Sequence, residues 1–349
     1  MTAQKVLITG ATSHVGFRTL LDLIIAGHNP RIAVRSESKK QIILNNPKFK
    51  ALTRSTTDDP YDFVIVPDIT VPNAYLEAIK GVDYAIHIAS PIESGGRLKK
   101  DEFDEHLIQP AVRATLNILE AAKSEARVKR VVITSSVYAT VPYECLSTRD
   151  MAEGEIYTAD HRLAFDEGPY EDESQAYAAS KVKALNESER WMRENEPSFD
   201  LVNIHPPFVL GRDDLVTNAE DAMRGTNGVI LRPALGKANP NPLPGCSAHL
   251  EDIARLHVEA LQARIPAGSY QAATNSAEGI RWEEVNEIVQ QLFPEAVREV
   301  VLPNSGGSKT LACHLDVSKT EETFGWKFQG FGKQVESVIE HYLELRREV

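Results

Sequence analysis

Of the ten tyrosines in this 349-residue chain, Tyr177 alone is followed four places on by a lysine, in Tyr177-Ala-Ala-Ser-Lys181. On a helix that spacing stacks the two side chains on one face, one turn apart. A phenol is a useful proton donor when a neighbouring ammonium stabilises the phenolate it leaves behind. Lys181 would also reach the ribose hydroxyls of a nicotinamide nucleotide. A serine hydroxyl bonding the same substrate oxygen would stabilise charge developing on it, and Ser136 closes the apolar run Val131-Val-Ile-Thr-Ser-Ser136. Alone, Tyr-x-x-x-Lys is also the pattern of a surface pair. It acquires meaning from the elements that position it.

Those elements begin at residues 5–25. Val6, Leu7 and Ile8 form a short apolar run ending at Thr9-Gly10, as a strand buried on both faces should, and from Val15 the apolar spacing becomes helical, with Gly27 as a stop. Strand, tight glycine turn and helix open a dinucleotide fold. Gly10 permits the turn, Gly16 lets the helix approach the strand, and free N–H groups of the first helical turn face a diphosphate. Gly10, Thr12, Ser13, His14, Val15 and Gly16 are the expected cradle, the plainer alternative being a simple glycine turn. Ser13 stands where the three-glycine form of this fingerprint has its middle glycine. Its Cβ predicts either a small shift of the cofactor or a hydroxyl contact to phosphate.

The second strand, Arg31 to Val34, runs into Arg35-Ser-Glu-Ser-Lys39. There a nucleotide fold meets the adenosine ribose, and basic residues accept a 2′-phosphate. Read as one helical face, Arg35 and Lys39 predict NADP over NAD, with solvated surface cations as the alternative. A third strand, Phe63 to Val66, brings Asp68 and Ile69 within reach of an adenine ring. A fourth, from Asp83, ends in a small-residue turn where the backbone at Ala89 and Ser90 can lie against a cofactor, while His87 reads as a core histidine. Residues 93–104 are charged and aperiodic, a mobile loop. A helix over 105–123 precedes a fifth strand, 128–134, with Thr134 at its cofactor end.

Repeated strand and helix in this order predict an α/β fold, a doubly wound parallel sheet with ligands outside the carboxyl ends of the strands, which delivers Ser136 to the site. Residues 143–172 read as an active-site border rather than packed core. A helix over 174–195 carries Tyr177 and Lys181, a sixth strand covers 199–205, and Pro206-Pro-Phe208-Val209-Leu-Gly211 breaks out of it. Beyond Asp213 the alternation is lost. The expected division is a Rossmann domain at 1–212, with 246–275 returning to it, and a smaller C-terminal α+β substrate lobe at 213–245 and 276–349.

The net charge of −12 at pH 7 argues against nucleic acid or an anionic membrane as partner, since both would repel the chain. The three cysteines, Cys145, Cys246 and Cys313, are widely separated, which fits a reducing compartment without a disulfide framework. With no membrane-length apolar run and no leader pattern, a cytoplasmic location is expected. No metal site is indicated.

Together, Thr9-Gly10 with Gly16, Val34-Arg35-Ser36 with Lys39, His87-Ile-Ala-Ser-Pro91, Val131 to Ser136, Tyr177 to Lys181, Pro206 with Val209 and Gly211, and Phe324-Gly-Trp-Lys-Phe resemble an extended short-chain dehydrogenase/reductase. Within that superfamily the chain is similar to the branch of dihydroflavonol reductase, cinnamoyl-CoA reductase and the fungal methylglyoxal and ketone reductases. The resemblance implies Ser136, Tyr177 and Lys181 as the catalytic set, Arg35 and Lys39 on the 2′-phosphate, and Asp68 and Ile69 at adenine. It further implies Ala89 and Ser90 along the cofactor, and Pro206 and Val209 near the carboxamide. Ser136 is preferred to Ser135 because adjacent strand residues face opposite sides. Some members add an asparagine of the preceding helix to a proton relay; Asn117 is expected to be a packing position instead.

The activity so implied is NADPH-dependent reduction of an aldehyde or ketone to an alcohol. A nucleotide-sugar epimerase or dehydratase on the same fold is the alternative, although Val137-Tyr138 follow Ser136 where such dehydratases resemble one another in having Asp-Glu. A non-catalytic NADP-sensing protein is a third reading, opposed by the retained Tyr/Lys pair. Val137, Tyr138 and Phe208 are assigned to the substrate side of a mixed pocket with few fixed charges; Arg97, Arg212 and Arg224 are the arginines available to clamp an anion. The substrate class is a small-molecule carbonyl compound, for example an aromatic ketone, and a monomer or weak homodimer is expected.

Overall fold

A computed structural model describes residues 3–54, 60–91, 96–274 and 279–347. The chain gathers into two compact units. One comprises Met1–Thr140, Asp160–His205 and Ala254–Tyr270, the other Val141–Ala159, Pro206–Ile253 and Gln271–Val349.

The first unit is built on β1 (Lys5–Thr9), β2 (Asn29–Val34), β3 (Asp62–Ile65), β4 (Tyr84–His87), β5 (Arg130–Thr134) and β6 (Asp200–His205). They lie in the order β6-β5-β4-β1-β2-β3, with the strand Gly268–Gln271 beyond β6. Every pairing among these six is parallel, as the alternation of strand and helix predicts. Val6, Leu7 and Ile8 of β1 are fully buried, each worth roughly 1.5–3 kcal/mol over exposure. In register, Thr9 of β1 stands beside His87 of β4, so the first turn and the turn after β4 meet at the carboxyl ends.

Helix α1 (His14–Ile25) starts at Ser13, whose side chain caps it, and ends at Gly27, with φ +78°, where the His28 N–H turns back to the Leu23 carbonyl. Ser36 caps α2 (Glu37–Asn45), and Asn46 caps α3 (Pro47–Thr53). Before α4 (Gln109–Ser124) the chain makes a wider π-type turn at Asp104–Ile108; Pro110 has no N–H to give an α-helical bond across it. Residues 93–95 of the expected mobile loop lie outside the described residues. The rest of it differs from the expectation: it holds a short helical turn, Lys100–Glu102, and Phe103 is buried among Leu107, Ile108, Tyr170 and Ala176.

The 143–172 connection also differs from the sequence reading. Its first part carries α5 (Tyr143–Ser147), and Val141, Cys145, Leu146, Met151 and Ala159 are buried in the second unit. Tyr157 there bridges to Leu315. The connection's polar, acidic and Gly/Pro-punctuated composition hid this packing. After the connection, α6 (Glu173–Asn195) is capped by the Asp172 side chain.

The second unit contains two short parallel pairs, Phe208–Leu210 with Ser247–His249 and Leu243–Pro244 with Thr310–Leu311. Its core centres on Trp282, whose indole N–H donates to the Pro244 carbonyl at 2.8 Å. Phe208 and Phe331 meet the Trp282 ring edge-on at 5.7 and 5.4 Å. The helix Phe331–Arg347 adds Val335, Val338, Ile339 and Tyr342 to that core. No helix among the described residues is long and apolar enough to cross a membrane.

Candidate active site

The turn between β1 and α1 needs both of its glycines. Gly10 has φ +76°, and a Cβ there would come within 2.7 Å of the Ala89 backbone nitrogen. A Cβ on Gly16 would stand 2.0 Å from the Gly10 carbonyl oxygen, so the helix enters against the turn itself. Ser13 is exposed, but its hydroxyl is already used: it donates to the Gly10 carbonyl at 2.8 Å and accepts the Gly16 N–H at 3.2 Å. The one hydroxyl hydrogen is thus given to the turn. Ser13 replaces a glycine by stitching the turn together. Thr12, His14 and Val15 are partly accessible at the helix mouth, and no described residue accepts the Thr12 N–H.

Thr9 then joins this turn to the one after β4. Its hydroxyl accepts the N–H groups of Ile88 and Ala89 at 3.2 and 3.1 Å, which leaves its hydrogen for His87 Nδ1, 2.9 Å away. This network assigns the imidazole hydrogen to Nε2. His87 is 3% exposed, and burial, reinforced by the Lys181 charge, pushes it down to about 3; it is a neutral core histidine. From sequence Thr9 enters only as the end of a strand and part of the Thr9-Gly10 motif, and its link to the turn after β4 is not read there.

Lys181 and Tyr177 come together on α6. Lys181 is 6% exposed; its Nζ donates to Ser90 Oγ at 2.9 Å and stands 4.9 Å from the centre of the Tyr177 ring. Beside it is a cavity lined by His87, Ser90, Thr115, Ser135, Ser188 and Asn203, among others including Ala89 and Thr134. Ser135, set aside in the sequence reading, is in that lining. Ser136 is buried and caps the turn Val137–Ala139, accepting the Tyr138 N–H at 3.2 Å. Tyr138 in turn presents its ring edge-on to Tyr177 at 6.0 Å. Leu98, Phe165 and Tyr177 pack against the buried Phe103 and Tyr170, an apolar and aromatic flank beside the phenol.

Toward the other end of the sheet, Arg35 is exposed and Lys39 half-buried, and neither side chain meets an acceptor among the described residues. Arg35 precedes α2, so the two are not one helical face as the sequence suggested; Lys39 instead gives its N–H to the capping Ser36. Asp68 is exposed, and the Thr70 hydroxyl and N–H, at 2.7 and 2.8 Å, hold its carboxyl below the usual range. Asn117 is more than a packing position: its amide donates to the Ile69 and Val71 carbonyls at 2.9 and 2.8 Å. Pro206, Phe208 and Val209 belong to the second unit. There Arg212 is paired with Asp214 and Glu344, and Arg224 with Asp221, so both are already committed to carboxylates. No group of three or more metal-ligating side chains occurs among the described residues.

A dinucleotide fits the first unit on its own geometry. A backbone cradle that a single Cβ would fill, two cations without counter-ions among the described residues beyond β2, and a buried lysine beside Ser90 follow one another along the strand ends.

Residues 6–272 match the model of the NAD dependent epimerase/dehydratase family. Among curated proteins, ketoreductase CTB6 of Cercospora nicotianae is 37% identical over 99% of this chain and 96% of its own length. A protein named NAD-dependent epimerase/dehydratase ALT6, of Alternaria alternata, is 35% identical over 96% of each chain. Among solved structures, yeast methylglyoxal/isovaleraldehyde reductase Gre2, complexed with NADPH, has a TM-score of 0.78 at 20% identity, covering 99% of this chain and 100% of that one. Vestitone reductase of alfalfa has a TM-score of 0.71 at 20% identity, covering 98% of each. The two structures speak for the fold.

Proposed function

Since the chain belongs to the NAD dependent epimerase/dehydratase family, within the extended short-chain dehydrogenases/reductases, we propose that it is an NADPH-dependent carbonyl reductase that converts a ketone or aldehyde to an alcohol. The observation that carries the reading is the buried Lys181 ammonium held against both Ser90 and the Tyr177 ring at the strand ends. Relatives named ketoreductase support the reaction class.

NADPH, when bound, supplies the hydride. Gly10, Thr12, Ser13, His14, Val15 and Gly16 form the backbone cradle for its diphosphate, Arg35 and Lys39 take the 2′-phosphate, and Asp68 and Ile69 flank adenine. Ala89, Ser90 and Thr134 line its path along the sheet, and Pro206 and Val209 take the carboxamide. Tyr177 gives its phenolic proton to the carbonyl oxygen, Lys181 stabilises the phenolate left behind, and Ser136 donates a hydrogen bond to the same oxygen. Val137, Tyr138 and Phe208 contact the substrate. The residues after Ser136 include no carboxylate through Pro142, so the acid–base pair that water elimination needs beside it is missing.

The test is NADPH oxidation over a panel of aldehydes, α-diketones, β-keto esters and aryl ketones, with NADH in parallel. Turnover preferring NADPH is expected, and Tyr177→Phe should lower kcat by about 10²–10⁴-fold while still binding NADPH. Full turnover in Tyr177→Phe would overturn the catalytic assignment. Tight NADPH binding with no turnover on the panel would favour the epimerase or sensor reading.

A further inference from the structure

We infer that Asn117 is a positioning residue for the cofactor: through two hydrogen bonds it sets the loop that forms the adenine end of the site. The inference rests on the reading above that Asp68 and Ile69 face adenine.

Asn117 lies in the middle of α4, and its side chain is buried, with the residue 7% exposed. Its amide nitrogen carries two hydrogens, and both are used, one on the Ile69 carbonyl and one on the Val71 carbonyl. The two carbonyls lie 48 and 46 residues away in sequence and follow directly after Asp68. From its other side the same loop is tied internally, Asp68 Oδ1 taking both the N–H and the hydroxyl of Thr70. The loop has no strand partner at these positions: β3 stops at Ile65, and the last ladder-like bond is Val66 N–H to the Val34 carbonyl. Asn117 therefore supplies from a helix what the sheet has ceased to supply. Neighbouring Ile118 and Leu119 are fully buried in the core to which Ile69 also packs, so the helix that bears Asn117 is a rigid post. A donor pair aimed at two carbonyls of one loop fixes both its height above the strand ends and its rotation, which are the coordinates that decide where Asp68 and Ile69 present themselves.

The experiment compares the parent with Asn117→Leu, which matches the amide in size and leaves both carbonyls unpaired, and with Asn117→Ser, a smaller change that keeps one donor. NADPH affinity is measured by its fluorescence on binding, and adenosine 2′,5′-bisphosphate, which carries the adenine and 2′-phosphate without nicotinamide, is measured by competition. Asn117→Leu is expected to weaken both ligands by the same factor, about tenfold, and Asn117→Ser by about threefold. On the best carbonyl substrate of the panel, kcat at saturating NADPH should stay within about twofold of the parent, because Tyr177 and Lys181 stand on a different helix. Unchanged affinity in a variant that melts cooperatively would overturn the inference. So would a fall of kcat in step with affinity, which marks general loosening of α4. A parent that binds no NADPH would instead overturn the cofactor reading itself.

Discussion

At the scale of single residues the turn after β1 separates groups that shape a site from groups that would touch its ligand. Ser13 spends its one hydrogen and one of its two lone pairs inside the turn, on Gly10 and Gly16. Ser13→Ala should therefore cost about 1 kcal/mol of stability through the lost cap, seen as a lower denaturant midpoint, and leave NADPH affinity within about twofold. A tenfold loss of affinity at unchanged stability would mean that the hydroxyl reaches phosphate after all. The glycines on either side admit no such separation. At Gly16 a methyl group would have to occupy the space of the Gly10 carbonyl oxygen, so cradle and fold are one object there.

At the scale of elements, α6 carries the chemistry, and one residue of its first turn holds the neighbouring segment against it. Glu173 lies four places before Tyr177 and is 7% exposed; its carboxylate accepts the Gly96 N–H at 2.6 Å. From Gly96 the chain runs on through Leu98 and Phe103, which pack with Tyr170 and Phe165 on the flank of Tyr177. Glu173→Ala should loosen that flank and lower kcat/KM for an apolar ketone by about tenfold, with NADPH affinity unchanged. Glu173→Gln, which retains an acceptor oxygen, should recover most of the loss; an equal fall in NADPH affinity would show instead that the whole helix had shifted. Legibility in the sequence follows the same division. The strands and α1, α4 and α6 were readable because buried parallel strands are short apolar runs and their helices repeat at helical spacing. Tyr177 with Lys181, and Gly10 with Gly16, were readable because their partners lie within one local motif. Thr9 with His87, Asn117 with the 69–71 loop, and Glu173 with Gly96 were not, because each joins residues 46 to 78 positions apart. A polar residue in the apolar run Leu116-Asn117-Ile118-Leu119 was the one available signal. The packing of 141–159 escaped for a different reason: polar and acidic composition describes a segment's exposed side chains and says little about the few that anchor it.

At the scale of the whole molecule, buried neutral histidines tie stability to pH. His87 is held near 3 by burial and by Lys181, against an ordinary value of 6.5, and burial also lowers His28 and His341. Below pH 6.5 the unfolded chain takes up protons at these sites and the folded one does not, so their contribution is complete above 6.5 and is lost as pH falls toward the folded values. For His87 the loss approaches about 1.4 kcal/mol per pH unit in that window. Lowered carboxylates such as Asp62 and Asp83 act in the same direction, but only below their ordinary range near 4, while Asp252, raised by burial, opposes the histidines as pH falls across the interval from about 6.5 to about 4.5. Net charge also works against the histidines: the chain carries −12 at pH 7, and acidification relieves that self-repulsion. His87→Asn isolates the His87 contribution, since it removes the titration and hardly alters the charge. The expected result is a denaturant midpoint that falls for the parent across this interval and falls distinctly less for His87→Asn. Parallel curves would mean that Lys181 and burial do not keep His87 neutral, and that the ammonium beside Tyr177 shares its cavity with a second charge.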